Sequence, residues 1–170
     1  GGDVINVFNT SSLTLTNATI SDISGNAIEI FNTSSLTLTN ADISNISNAG
    51  IEIFNESVLN ATGVAIDGVF SDALVVFNDS VATFDNSFVT NNYNFSAAVE
   101  VFNNSSLSAT ESVFDTGLSD GIDIFSSTNG AKLTLAQSTV KNFLGSGIAD
   151  FGNNNLDDSN VISIKRSVIM

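Results

Sequence analysis

Phenylalanine recurs along the chain at a nearly fixed interval. Phe8, Phe31, Phe54 and Phe77 lie 23 residues apart, and Phe102, Phe125 and Phe151 follow after steps of 25, 23 and 26. A period of this size marks a chain built from stacked copies of one unit, none of which can bury its apolar face alone. The best-preserved copy is AIEIFNTSSLTLTNADISNIS, from Ala27 to Ser47, and most of the remaining sequence is an approximate copy of it.

Aligning the copies on the phenylalanine resolves apolar columns in three sets, one set per strand. Ile5, Ile28, Ile51, Leu74, Val99, Ile122 and Ile148 stand three positions before it, and Val7, Ile30, Ile53, Val76, Val101 and Ile124 stand one before it. Alternate residues of a strand share a face, so these columns point inward and the residue between them points out. Five and seven positions after the phenylalanine come Leu13/Leu15, Leu36/Leu38, Leu59/Ala61, Ala82/Phe84 and Leu107/Ala109, with Leu133/Leu135 in the same columns after a local insertion. Ile20, Ile43, Ile66, Val89, Phe114 and Val140 form the third inward set. Three short β-branched stretches per coil, with no 3.6-residue period, predict three strands and no helix. Each strand then pairs with its counterpart one coil away. The expected architecture is all-β: one solenoid domain over residues 1–170, about seven coils, three parallel sheets around a narrow core. Ile162/Ile164 are expected opposite Leu133/Leu135, and Val168/Ile169 opposite Thr139/Val140.

These copies, with openings such as Gly50-Ile51-Glu52-Ile53 and Gly121-Ile122-Asp123-Ile124 and an Asn after the strand, resemble the parallel β-helix repeat of the pectin-lyase-like superfamily over essentially the whole chain. The resemblance implies a right-handed coil, in line with the general handedness of parallel crossovers. It also directs attention to the lyases and hydrolases of that superfamily, which act on acidic polysaccharides using Arg or Lys with carboxylate-held calcium, or clustered Asp with His and a basic pair. The chain has no His, and its only basic residues are Lys132, Lys141, Lys165 and Arg166. Asp157-Asp158 is a carboxylate pair within the loop GNNNLDDSN. With a net charge of −14, from 18 acidic and four basic residues, the chain would repel an anionic substrate, a phosphate backbone or an anionic membrane. The expectation is a protein without catalytic residues, nucleic-acid partner or membrane insertion.

Other columns carry polar chemistry. Asn9, Asn32, Asn55, Asn78 and Asn103 follow the phenylalanine, with Ser11, Ser34, Ser57, Ser80 and Ser105 two positions on; Asn tolerates left-handed backbone and can bond its equivalent one coil away, predicting structural ladders at a turn. Between the first two inward columns stand Asn6, Glu29, Glu52, Val75, Glu100, Asp123 and Ala149. At a coil spacing of about 4.8 Å, Glu29 over Glu52 and Glu100 over Asp123 are stacked like charges. They form a solvated acidic stripe, or they are protonated, or a hard cation such as calcium bridges them. No other cofactor is expected. On the outer face of the second strand, Thr14, Thr37, Asn60, Thr83, Ser108, Thr134 and Ser163 make one column and Thr16, Thr39, Thr62, Asp85, Thr110 and Ala136 another. Regular Thr-x-Thr faces resemble those of ice-binding solenoids, although only Thr14/Thr16 and Thr37/Thr39 are complete pairs and Asp85 interrupts the array. Asn17, Asn45, Asn60, Asn94 and Asn104 are Asn-x-Ser/Thr positions outside the ladder register and are candidate glycosylation acceptors.

Strict alternation puts Phe8, Phe31, Phe54, Phe77, Phe102, Phe125 and Phe151 outside, as a lateral interface; the alternative is that the strand ends there and the ring turns into the core. The chain begins in an ordinary first strand and ends in a third, without Met at its start, so it reads as processed or excerpted. Its coils could continue head to tail from one copy to the next, with Lys165-Arg166 meeting acidic residues such as Asp3, Asp22 and Glu29. The functional expectation is an extracellular or cell-surface structural solenoid that polymerises into a filament. A carbohydrate-binding or adhesive segment of a larger surface protein is the alternative, with glycan contacts near Tyr93 and Phe95 or Asn129 and Gly130.

Overall fold

A computed structural model describes residues 3–93, 95, 97–126, 130–152 and 160–170. Asn94, Asn129 and the Asp157-Asp158 pair lie outside the described residues.

Every element among the described residues is a strand. The first coil contributes Ile5–Val7, Ser12–Thr16 and Thr19–Ile23, the second Ile28–Ile30, Ser35–Thr39 and Asp42–Ile46, and the pattern runs on to Ile148–Phe151, Val161–Lys165 and Val168–Ile169. The strands form three seven-stranded parallel sheets, each taking every third strand in chain order. Register follows the sequence columns: Ile28 faces Ile51, Leu36 faces Leu59, and Ile43 faces Ile66. Ile162 and Ile164 pair with Leu133 and Leu135, while Val168 and Ile169 pair with Thr139 and Val140.

All three inward sets are sealed in the middle coils, where Ile28, Ile30, Leu36, Leu38, Ile43, Ile51, Ile53, Leu59 and Ile66 are fully buried. Burying a side chain of this class contributes roughly 1.5–3 kcal/mol. Packing is complementary between coils as well as within them. Phe84, the bulkiest fully buried side chain, stacks between Ala61 and Ala109, and the inward residue beside it on its own strand is Ala82.

In each of the first five coils four positions adopt left-handed backbone, which lets a chain with no proline turn three corners. Asn9 and Thr10 (φ 57° and 62°), Asn17 (54°) and Asp22 (60°) mark them in the first coil. Asn, Asp and Gly dominate these columns because their side chains tolerate that region. Where a copy has Gly63 or Gly68, the φ values of 63° and 65° still hold, and a Cβ on Gly63 would come within 2.7 Å of Asn40 Oδ1. The position at Asp22 lies inside the third strand and explains why the two inward residues there, Ile20 and Ile23, are three apart.

Polar ladders close the corners. Asn55 donates to Asn32 Oδ1 at 3.3 Å, and Asn78 donates to Asn55 Oδ1 at 3.2 Å. Behind them the Ser57, Ser80 and Ser105 hydroxyls are buried and accept the backbone N–H of Ser34, Ser57 and Ser80, each at 3.2 Å. A second buried serine column, absent from the sequence expectations, follows the second strand. The Ser87, Ser112, Ser138 and Ser167 hydroxyls accept from the N–H of Val64, Ser87, Ser112 and Ser138, respectively. Ser112 Oγ also donates to Thr110 O at 2.9 Å. Since Val64 occupies the same column, a side chain without a hydroxyl fits there sterically. Ser112→Ala is therefore expected to lose about 1–3 kcal/mol through the unsatisfied N–H of Ser87, read as a lowered denaturant midpoint.

Candidate functional site

The outer face of the first sheet gathers most of the candidate residues. Its strands alternate inward Ile, Leu or Val with one outward position and then an outward phenylalanine, so the coils of Phe31, Phe54, Phe102 and Phe125 each add one acid and one ring to two parallel columns, while the coil of Phe77 has Val75 in the acid's place. Phe31, Phe54, Phe77, Phe102 and Phe125 are half-buried, and Phe8 and Phe151 at the two ends are exposed. The rings therefore stand outside the core. They cover one another: Phe8 and Phe31 stack at 5.5 Å, Phe102 and Phe125 at 4.4 Å, and Phe125 and Phe151 at 4.8 Å, while Phe77 meets Phe54 and Phe102 edge-on at 6.1 and 5.3 Å. Offset and edge-to-face pairs of this kind contribute about 0.5–1.5 kcal/mol each beyond the area they bury. Phe31, Phe54 and Phe77 line a shallow open groove with Glu29, Asn55 and Asn78.

In the acidic column, Glu29 faces Glu52 and Glu100 faces Asp123, with Val75 between the two pairs. Asn26, buried at the corner preceding this strand, donates from one amide to Glu29 Oε1 at 2.7 Å and to Glu52 Oε2 at 2.8 Å. Its own Oδ1 accepts from Asn48 Nδ2 and from the N–H of Ala49. Burial, then the charge and hydrogen bond of Glu29, then Asp72 and Asp3, push the Glu52 carboxyl from an ordinary 4.5 to about 7. Asp123 is only 6% exposed, and its Oδ1 has no hydrogen-bond partner. Burial, followed by Asp120, Glu100 and Asp72, raises it from 3.8 to about 7. Protonation at either position relieves the repulsion that stacking imposes. Among the described residues no group of three or more acidic side chains is arranged to hold a metal ion, and the Asn26 amide bridges Glu29 and Glu52.

The remaining candidates are dispersed. Thr14, Thr37, Asn60 and Thr83 face outward along the second sheet in register, with Asp85 in the neighbouring outward column. Asn17, Asn45 and Asn104 are left-handed turn residues engaged in side-chain ladders: Asn17 accepts from Asn40, Asn45 donates to Asp22, and Asn104 donates to Asp79. Of the four basic residues, Lys141 pairs with Asp115 at 3.2 Å, while Lys165 and Arg166 line an open hollow with Ala136 and Gln137. Burial acts upward on the Asp115 carboxyl, yet hydrogen bonds from Asn142, Thr116 and Lys141 together with the Lys141 charge outweigh it and hold it below the usual carboxylate range.

Three features escaped the sequence reading, the first being the second serine column already described. Asn26, Asp72 and Asp120 each stand three residues before an outward position of the acidic column, at the corner, and the signal was that recurrent spacing. The third is a ridge of exposed apolar residues just after the third strands: Phe70, Tyr93, Leu118 and Leu144, with Phe70 and Tyr93 rings 5.2 Å apart.

No curated protein matches the chain. Residues 3–168 match the family model described as the right-handed beta helix region. That span contains all three sheet columns, and the chain belongs to the right-handed β-helix family.

Proposed function

We propose that the protein is a non-catalytic structural element of the cell surface or extracellular space, a stiff rod lengthened end to end by further coils of its own kind. The observation that carries this reading is the unbroken register of three seven-stranded parallel sheets, an architecture that further rungs of the same kind extend without a change of pairing. At the last rung Ile162, Ile164 and Ile169 are 38–46% exposed, whereas Leu133, Leu135 and Val140 one rung earlier are sealed. A strand edge with open N–H and C=O groups beside an apolar rung favours the addition of another rung. The first rung, with Leu13 and Leu15 half-covered, offers the complementary columns in the same register. A second copy docked head to tail continues all three sheets, and because such a contact does not close on itself it produces a filament. Lys165 and Arg166 near one end and Asp3 and Asp22 near the other set its polarity. A chain continuing in sequence would cover the same rung, and experiment separates the two.

The acidic surface supports the exclusions of nucleic acid, anionic membrane and acidic polysaccharide as partners. A glycan-binding or adhesive role is the second reading, favoured by Phe70, Tyr93 and Phe95, which stand 60%, 46% and 86% exposed on one flank.

Sedimentation of the 170-residue protein over a wide concentration range tests the first reading. Growth into rods is expected, and Ile164→Asp, a charge set into the open rung, is expected to leave the fold intact and stop growth. A monomer at every concentration overturns end-to-end assembly.

A further inference from the structure

We infer that the outer face of the first sheet is a docking strip for a basic polypeptide segment, whose guanidinium or ammonium groups lie over the phenylalanine rings and pair with the carboxylates beside them. The two columns supply both halves of what such a segment needs. At Phe54 and Phe77, which meet edge-on and stand half-open to solvent, a ring face can take a cation–π contact worth about 0.5–1 kcal/mol per exposed site, more where water is excluded. Two residues before Phe31, Phe54 and Phe102 stand Glu29, Glu52 and Glu100, on the same outer face, so a cation over a ring is also within reach of an acid. Arginine fits better than lysine, because its planar group stacks on a ring while its edge forms paired hydrogen bonds to a carboxylate. The groove bounded by Glu29, Phe31, Phe54, Asn55, Phe77 and Asn78 is open to solvent, and with one ring from each of three successive coils it suits an extended chain. Charge complementarity selects the occupant, since the protein carries −14 and the strip itself bears no basic residue.

The arrangement couples binding to protons. Glu52 faces Glu29 on the preceding strand, the uncharged Val75 on the following one, and Asp72 and Asp3 from the corners; Asp123 faces Glu100, Ala149, Asp120 and Asp72. Burial and these acidic neighbours raise both carboxyls to about 7, so each is partly protonated near neutrality. A guanidinium placed beside Glu52 favours its ionised form, and the proton leaves as the peptide binds. Affinity consequently rises with pH between about 6 and 8, and the complex forms with net proton release.

The test is calorimetric titration of the intact protein with a hexa-arginine peptide at pH 7, in two buffers of different ionisation enthalpy. Saturable binding with proton release is expected. Phe54→Ala with Phe77→Ala should weaken it tenfold or more, as should Glu29→Gln with Glu52→Gln. The charge-matched control, Asp22→Asn with Asp42→Asn on the third strands, should change it less than twofold. Phe54→Leu, which keeps apolar bulk without the π face, serves if the double alanine variant does not fold, and is expected to weaken binding threefold or more. Equal losses in the control and strip variants, or no loss on removing the rings, would show diffuse attraction by net charge and overturn the proposal. So would binding without proton release, a neutral oligosaccharide displacing the peptide from the strip, or a second copy already covering the rings.

Discussion

Phe84→Ala is expected to destabilise the protein by about 3–5 kcal/mol, at the upper end for a buried aromatic truncation. The ring is fully buried, and its neighbours above, below and beside it are Ala61, Ala109 and Ala82, so nothing nearby is long enough to fill the space. Collapse of the coils is also blocked, because their separation is set by the ladder hydrogen bonds and not by the side chains between them. The cavity therefore stays open, and the penalty for unfilled volume adds to the lost transfer energy. Phe84→Leu restores the residue found at this column in Leu15, Leu38 and Leu135 and should recover about half of the loss. Denaturant midpoints of the two variants check both figures. A loss below about 1 kcal/mol for Phe84→Ala would mean that the neighbouring coils can close on one another.

Stability is expected to fall as pH rises from about 4 to 7, opposite to the behaviour of a protein held together by salt bridges. Glu52 and Asp123 have folded-state pKa values of about 7 against ordinary values of 4.5 and 3.8. Between those limits the native state binds more protons than the unfolded chain, so the contribution is complete below the unfolded values and is lost as pH climbs through the folded ones. At about 1.4 kcal/mol per pKa unit the two shifts would sum to several kcal/mol; with partial exposure of Glu52 discounted, about 2–4 kcal/mol is expected. Asp115 acts in the opposite sense in a lower window: its carboxyl is held down, so its contribution is present above its unfolded value and disappears on further acidification. Unfolding midpoints at pH 4.5, 6 and 8 give the slope. Glu52→Gln together with Asp123→Asn should flatten it and raise stability at pH 8, which separates the two sites from the general repulsion of an acidic surface. A wild-type midpoint that climbs from pH 4.5 to 8 would contradict the assignment.

The strand columns were legible because each inward position repeats a demand that only an apolar side chain meets. Seven copies of that demand, as at Ile5, Ile28 and Ile51, average out exceptions such as Ala82. Register was legible for the same reason: Ile162 and Ile164 could be placed against Leu133 and Leu135 across an insertion. The second serine ladder was not, since its column begins Ala18, Ala41, Val64 before Ser87, and an isolated Ser reads as a turn residue until the N–H it accepts is located in the neighbouring coil. The Phe column was half-legible. Alternation pointed outward, but a ring that caps its neighbour is neither core nor free surface, and the periodic pattern has no symbol for that. Least legible was the burial of Asp123. An outward position in a strand normally implies solvent, and the unpartnered oxygen there depends on what surrounds it in space and not on its place in the repeat.

Almost every ladder bond in this molecule joins a residue to one a single coil away, from Ser11 to Ser34 at one end to Ser138 and Ser167 at the other. Chain separation between partners is thus nearly constant and does not grow as coils are added. The loop-closure entropy of forming a rung is accordingly the same wherever the first rung forms, and each later rung adds to a template already in place. Folding of such a chain is a zipping process whose barrier is set by the first pair of coils, and lengthening the rod lengthens the time to completion without raising that barrier. Sealed middle coils such as those carrying Leu38, Ala61 and Phe84 are the natural place for the zipper to start, and amide exchange should be slowest there and quicken toward both ends.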